Sequence, residues 1–199
     1  MAVMNSLSKA EWRAHVLRER RAVSSGTRAA EARALAATAV SVAGSTAPAG
    51  ATVCAYVPVG SEPGSIEMLD ALRAAGLRVL LPVTGEPGPL EWAEFTGAEG
   101  LAAAGHGLQE PTGPVLPAGE VASASVIFVP ALAVDERGTR LGRGAGFYDR
   151  TLGCADPGAA LVAVVRDCEL VPTLPADPHD VRMHYALTPG RGLVRLRDE

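Results

Sequence analysis

Apolar residues gather in short runs closed by proline or glycine, and these runs fix the elements the chain should form. A-T-V-C-A-Y-V (51–57) ends at Pro58, R-V-L-L fills 78–81, S-V-I-F-V (125–129) breaks at Pro130, and A-L-V-A-V-V fills 160–165. Runs of this length bounded by turn residues read as core strands. Between the first two, Gly60 to Ser65 is a loop, Ser65 caps a helix to residue 75, and Gly76 ends it. A strand-helix-strand unit of this kind is parallel and right-handed. L-E-W-A-E-F (90–95) alternates and predicts a half-exposed strand, and 185–188 predicts a short one. Upstream, Ser8-Lys9-Ala10-Glu11 forms a capping box that starts a helix over 9–21. An alanine-rich helix over 27–42 follows, before a loop over 44–50. The expected fold is α/β: one domain spanning 1–199, a mostly parallel central sheet with helices on both faces, and a helical N-terminal segment at about 8–43.

At 199 residues and 48% hydrophobic content the chain can bury one sizeable core. Its net charge of -4 argues against nucleic acid as a partner. No apolar run reaches the ~20 residues of a membrane span, and the N-terminus is polar through Arg21, unlike a signal peptide. A cytoplasmic monomer is therefore expected, with small molecules rather than membranes as partners. Cys54, Cys154 and Cys168 have no metal-like spacing and read as reduced, unpaired small hydrophobes. Seventeen of the eighteen basic residues are arginine, which leaves Lys9 as the one lysine. A compact ammonium retained amid such bias fits a need for a point charge, or chance survival.

The stretch with most chemistry is Gly138 to Leu152, G-T-R-L-G-R-G-A-G-F-Y-D-R-T-L. Glycines at 142, 144 and 146 permit positive φ and let successive N–H groups converge on an anion, and 147–152 could open a helix behind them. Arg140 and Arg143 supply forked donors for phosphate, and Asp149 could hold a divalent cation against it. The plainer reading is a solvated surface turn. There is no G-K-[ST] of a Walker A loop and no dinucleotide fingerprint. The strand at 125–129 leads into this stretch, and ligands in α/β sheets sit at strand ends.

The run Val129-Pro130-Ala131-Leu132-Ala133-Val134-Asp135 through Arg140-Leu141-Gly142-Arg143-Gly144-Ala145-Gly146-Phe147-Tyr148-Asp149-Arg150 resembles the signature P-x-x-A-F-D-x-x-G-x-R-L-G-x-G-x-G-Y-Y-D-R of the 5-formyltetrahydrofolate cyclo-ligase family. The likeness runs more thinly from Lys9 to about Thr188. It implies ATP- and magnesium-dependent closure of 5-formyltetrahydrofolate to 5,10-methenyltetrahydrofolate. It also implies residue roles. ATP would be bound by Lys9 and Arg13, four apart on the first helix, and by Arg140 through Tyr148 (Arg140, Leu141, Gly142, Arg143, Gly144, Ala145, Gly146, Phe147, Tyr148). Folate would be bound by Val57 and Glu62 with Arg143, Gly144, Ala145, Gly146 and Phe147. Arg140, Arg143 and Asp149 would be catalytic, and Asp149 with Asp180 would hold Mg2+. Gly107 to Pro111 matches the family's G-I-x-E-P and reads as structural, and Leu174 to Val181 matches its P-x-x-x-H-D.

The chain departs from the family at Val134, Ala145 and Phe147, in the Glu62-Pro63-Gly64-Ser65 sequence, and at His184, where an aspartate is usual. His184 is the departure expected to matter most. His15, His106 and His179 read as structural or solvated, and Trp92 as an aromatic plug. Two other classes fit the same residues: a weak or inactive folate- and ATP-binding regulatory protein, and a sugar-phosphate isomerase that needs no ATP.

Overall fold

The computed structural model describes residues 7–46, 48, 50–85, 88–178 and 180–197. Helix α1 (Lys9–Ala22) starts as its capping box dictates: Glu11 N–H donates to Ser8 Oγ, and Ser8 N–H donates to the Glu11 carboxylate at 2.8 Å. Helix α2 (Ser25–Thr46) outruns its expected end, because Gly44 sits inside it and the Ser45 and Thr46 hydroxyls donate back to the Val42 carbonyl. Helix α3 (Ile66–Ala74) is capped by Ser65 and stops at Gly76, φ 81°.

The strands are β1 (Thr52–Cys54), β2 (Arg78–Val83), β3 (Glu91–Glu94), β4 (Leu101–Ala103), β5 (Gln109–Pro111), β6 (Ala124–Pro130), β7 (Ala133–Asp135), β8 (Arg140–Leu141), β9 (Ala160–Val164), β10 (Leu170–Val171), β11 (Tyr185–Thr188) and β12 (Gly192–Arg195), with helix α4 (Phe147–Leu152) after β8. The main sheet has the order β12-β11-β9-β6-β1-β2-β3. Its five inner strands are parallel, including β11, and its edges β3 and β12 pair antiparallel. The apolar run at 51–57 is ladder only as far as Cys54, although Ala55 N–H still donates to Leu80 O. Strand β3 does not alternate as expected, since both Trp92 and Ala93 are buried.

Successive residues of the inner strands point into different cores, as period-two geometry requires. Val53, Val79, Val126, Phe128 and Val162 face α2 and α3, whereas Cys54, Leu80, Ile127, Val129 and Leu161 face Trp92, Val121 and the Leu152 end of α4. Trp92 is thus the expected plug. A third apolar cluster joins Trp12 and Val16 of α1 to Leu132, Ala133, Leu141 and Val171. It seats α1 on a small sheet, β10-β7-β8, that the apolar pattern had not shown. Among the described residues no helix is long and apolar enough to cross a membrane. All three cysteines are free, but Cys154 and Cys168 are exposed and only Cys54 is the buried hydrophobe expected of all three.

Candidate active site

A cavity of about 530 Å³ opens where β1, β2 and β6 run out, bounded by Tyr56 and Val57, by Pro82 and by Pro130. Carboxyl ends of parallel strands are where open α/β sheets bind ligands. Every residue to which the resemblance gave an ATP, folate or metal role, from Lys9 and Arg13 through Val57, Glu62 and the run Arg140 to Asp149 to Asp180, lines this cavity.

The glycine stretch begins as a β-hairpin. Strand β7 pairs antiparallel with β8, and the turn between them is clamped by Asp135, whose Oδ1 accepts from Arg137 N–H (2.9 Å) and Thr139 N–H (2.8 Å). Asp135 Oδ2 accepts from Leu174 N–H at 2.9 Å, which ties the turn to the loop carrying Asp177 and Asp180. Gly138 (φ 83°) has no alternative here: a β-carbon would collide with the Met183 carbonyl oxygen.

The hairpin then delivers Arg140, which is nearly buried. Its Nη2 donates to Asp149 Oδ1 at 2.8 Å, and its guanidinium carbon lies 5.7 Å from the centre of the Tyr148 ring. Among the described residues, the buried Arg140 Nε and Tyr148 hydroxyl have no hydrogen-bond partner. Unpaired polar atoms on a ligand-sized cavity are the mark expected where a ligand completes the bonding. Burial, with Glu62 nearby, holds the Tyr148 phenol protonated well above its ordinary range.

Beyond Arg140 the backbone behaves only partly as glycine density suggests. Gly144 (φ 105°) and Gly146 (φ 70°) take positive φ, and Gly142 does not. Gly142 is instead a close-approach glycine, since a β-carbon there would lie 2.7 Å from Arg140 Nη1. Arg13 Nε donates to the Gly142 carbonyl at 2.9 Å, and Arg150 Nη2 donates to the Ala145 carbonyl at 3.1 Å.

The remaining charges are matched in pairs. Lys9 Nζ donates to Asp177 and Asp180, each at 2.7 Å. Burial works to lower its proton affinity, but the two hydrogen bonds outweigh this and hold the ammonium above its ordinary value. Glu62 accepts from Arg143 Nε (2.8 Å) through Oε1 and from Val59 N–H (2.9 Å) through Oε2. Its Pro63-Gly64 sequence is accommodated by Gly64 at φ 110° and by the Tyr56 hydroxyl, which donates to Pro63 O at 2.6 Å. Among the described residues, no three His, Cys, Asp or Glu side chains converge as a metal cage. Asp149 and Asp180 both line the cavity, and magnesium beside phosphate is usually held by one or two carboxylates together with water.

Asp177, Gln109 and Glu110 are among the cavity residues that were not anticipated. Asp177 lies in the same proline-rich loop as Asp180, and a second acid three residues before it was the available signal. Gln109 and Glu110 also line the cavity, where Glu110 accepts from both N–H and hydroxyl of Thr84. A structural part for the 107–111 stretch therefore comes with a place on the wall. His184 goes the other way. It is exposed, its Nδ1 accepts from Leu161 N–H at 3.2 Å between β9 and β11, and it is not a cavity residue. Of the other departures, Ala145 and Phe147 line the cavity, whereas Val134 is buried in the core. His15 stacks edge-on against Trp12 and bonds Arg18, as a structural residue would. His179 and the His106 side chain lie outside the described residues.

The sequence profile of the 5-formyltetrahydrofolate cyclo-ligase family matches residues 5–189. The chain belongs to that family. It is an enzyme of the cyclo-ligase type, 52% identical to the 5-formyltetrahydrofolate cyclo-ligase of Mycolicibacterium smegmatis over 98% of this chain and 100% of that one. The Escherichia coli cyclo-ligase is 40% identical over a shorter stretch, covering 33% of this chain and 37% of its own. Among solved structures, 5,10-methenyltetrahydrofolate synthetase from Aquifex aeolicus superposes with TM-score 0.73 at 26% identity, covering 97% of this chain and 95% of that one. The Mycoplasma pneumoniae synthetase shares the fold, with TM-score 0.72 at 16% identity over 90% and 98% of the two chains.

Proposed function

We propose that this family member closes 5-formyltetrahydrofolate to 5,10-methenyltetrahydrofolate with ATP and magnesium, releasing ADP and phosphate, as a cytoplasmic monomer. The observation that carries the reading is the single cavity in which four cations (Lys9, Arg13, Arg140, Arg143) and the acids Asp149, Asp180 and Glu62 all face the same space.

A formyl amide is a poor electrophile, and loss of its oxygen as hydroxide is prohibitive. The formyl oxygen therefore attacks the γ-phosphorus, the bond to ADP breaks, and oxygen becomes a phosphate ester. N10 then adds to the activated carbon, its proton passes to water or phosphate, and the C–O bond breaks with phosphate leaving. Phosphoryl transfer of this kind needs positioning and charge neutralisation more than covalent help. Lys9, Arg140 and Arg143 bind phosphate oxygens in exchange for their carboxylate partners, Arg13 binds them in exchange for the Gly142 carbonyl, and the backbone of Gly142 to Gly146 cradles the chain of phosphates. The unpaired Nε of Arg140 gains an acceptor in the exchange. Val57, Phe147 and Tyr148 border the pterin, and Glu62 accepts from its amino-pyrimidine edge. Asp149 and Asp180 would hold magnesium, which supplies neutralisation of the transferred phosphate's charge. No general base is required.

Purified protein given 5-formyltetrahydrofolate and magnesium should gain the absorbance of the methenyl product only when ATP is present. Arg140→Ala and Asp149→Ala should each lower kcat/KM about a hundredfold or more, and Glu94→Ala, on the far edge of the sheet, should leave it unchanged. A flat trace with ATP, or equal losses in all three variants, overturns the reading.

A further inference from the structure

Beneath the cavity runs a chain of buried ions that the reaction does not use. Arg20 of α1 donates through Nε to Glu169 Oε1 (2.7 Å) and through Nη2 to Glu169 Oε2 (2.8 Å) and to the Ala131 carbonyl (2.7 Å). Glu169 Oε2 also accepts from the backbone N–H of Arg166 at 2.8 Å. The Arg166 side chain continues outward, Nε donating to Glu31 Oε2 of α2 (2.8 Å) and Nη1 to the Ser61 carbonyl (3.1 Å). Side-chain exposure is 1% for Arg20 and 5% for both Glu169 and Arg166, so this is a desolvated network and not a surface one.

Its attachment points are what make it informative. Arg20 stands on the helix that carries Lys9 and Arg13, and Ala131 is part of the cavity wall. Ser61 is the residue before Glu62, on the loop that also walls a smaller cavity of about 330 Å³ lined by Arg28 and Arg166. One end of the network thus holds the elements bearing the nucleotide cations, and the other holds the loop bearing the folate acid. Replacing such buried ions with apolar side chains is often neutral for stability, so stability does not explain their presence, whereas fixed geometry does.

We infer that Arg166 and Arg20 are positioning residues with separate charges: Arg166 sets the Glu62 loop and so folate affinity, Arg20 sets α1 and so nucleotide affinity, and Glu169 joins the two. The inference rests on the reading of function above. Its test is calorimetric titration of each ligand alone on full-length protein, followed by the product assay. Arg166→Met should weaken 5-formyltetrahydrofolate binding about tenfold and leave ATP binding within twofold. Arg20→Met should do the reverse. Arg166→Lys and Arg20→Lys, which keep a buried cation, should fall between wild type and the methionine variants, and they serve where a methionine variant does not fold. Equal weakening of both ligands in every variant, in step with lost thermal stability, would mean that the chain of ions is merely structural. Unchanged affinities would sink the inference as well. Failure of the unaltered protein to make product despite a clean split in affinities would instead remove only the assignment of the reaction.

Discussion

Asp135 shows how much one side chain can organise. Its two oxygens close the turn between β7 and β8 and hold the Leu174 backbone, which brings Arg140 and the Asp177–Asp180 segment to the same cavity. It is 1% exposed, and its removal strands the buried Thr139 and Leu174 backbone donors away from water, whereas the Arg137 donor belongs to an exposed residue. Each buried donor left without a partner costs about 1–3 kcal/mol. Asp135→Ala should therefore destabilise the protein by about 2 kcal/mol or more, seen as a lower urea midpoint at unchanged slope. Asparagine should not restore it, because one half of its amide presents N–H to a backbone N–H. A loss below about 1 kcal/mol would show that water replaces the carboxylate. The motif reading identified Asp135 only as a matching letter; that its partners lie both 2–4 and 39 residues away could not be read from spacing.

At the scale of elements, what was legible followed from local chemistry. The Ser8 box, the Ser65 cap, the apolar strand runs and the short helix at 147–152 are each determined within a few residues, and each formed. What was not legible depends on distant partners. Strands β7, β8 and β10 are two or three residues long and exist because they pair with one another and seat α1, and α2 passes through Gly44 because its buried face continues through Val42 and Ala43 against the sheet. The glycine loop illustrates both. Its role as a ligand-facing turn was readable, but which glycine does what was not. Gly138 abuts the Met183 backbone, whereas a β-carbon on Gly144 would meet only the Arg13 guanidinium at 3.5 Å. Both carry positive φ, costing about 1–3 kcal/mol for another residue. Gly138→Ala adds a backbone collision to that and should lower the melting temperature far more than Gly144→Ala. Gly144→Ala should retain the fold and instead weaken ATP binding, since its backbone strain falls in the loop whose Gly142 carbonyl holds Arg13. If the two melting temperatures fall together, the contact with Met183 is more yielding than its geometry indicates.

Across the whole molecule the charges and the buried acids divide by place. Lys9, Arg140 and Arg143 each meet a carboxylate on the cavity, so charge is matched there although the chain carries a net -4. Under the sheet and along the cavity wall lie Cys54, Tyr56 and Tyr148, whose protonated forms burial favours, before any smaller push from nearby charges. Their ordinary values are 9.0 for the thiol and 10.0 for the phenols, and folding raises all three. The sign follows directly. Below pH 9 these groups are protonated in both states and their contribution is present in full. As pH rises through the unfolded values towards the folded ones, the unfolded chain sheds protons that the folded chain keeps, and stability is lost at up to about 1.4 kcal/mol per pH unit for each group. Lys9, also raised above its ordinary 10.5, adds to the loss above that pH. Urea midpoints should hence be level from pH 7 to pH 9 and fall steeply beyond it. Cys54→Ala should make the decline between pH 9 and pH 10 shallower, leaving Cys168 as the other thiol that burial raises. A midpoint that stays level to pH 11 would mean that water reaches Cys54, Tyr56 and Tyr148, and with it that the apolar wall behind the cavity is not closed.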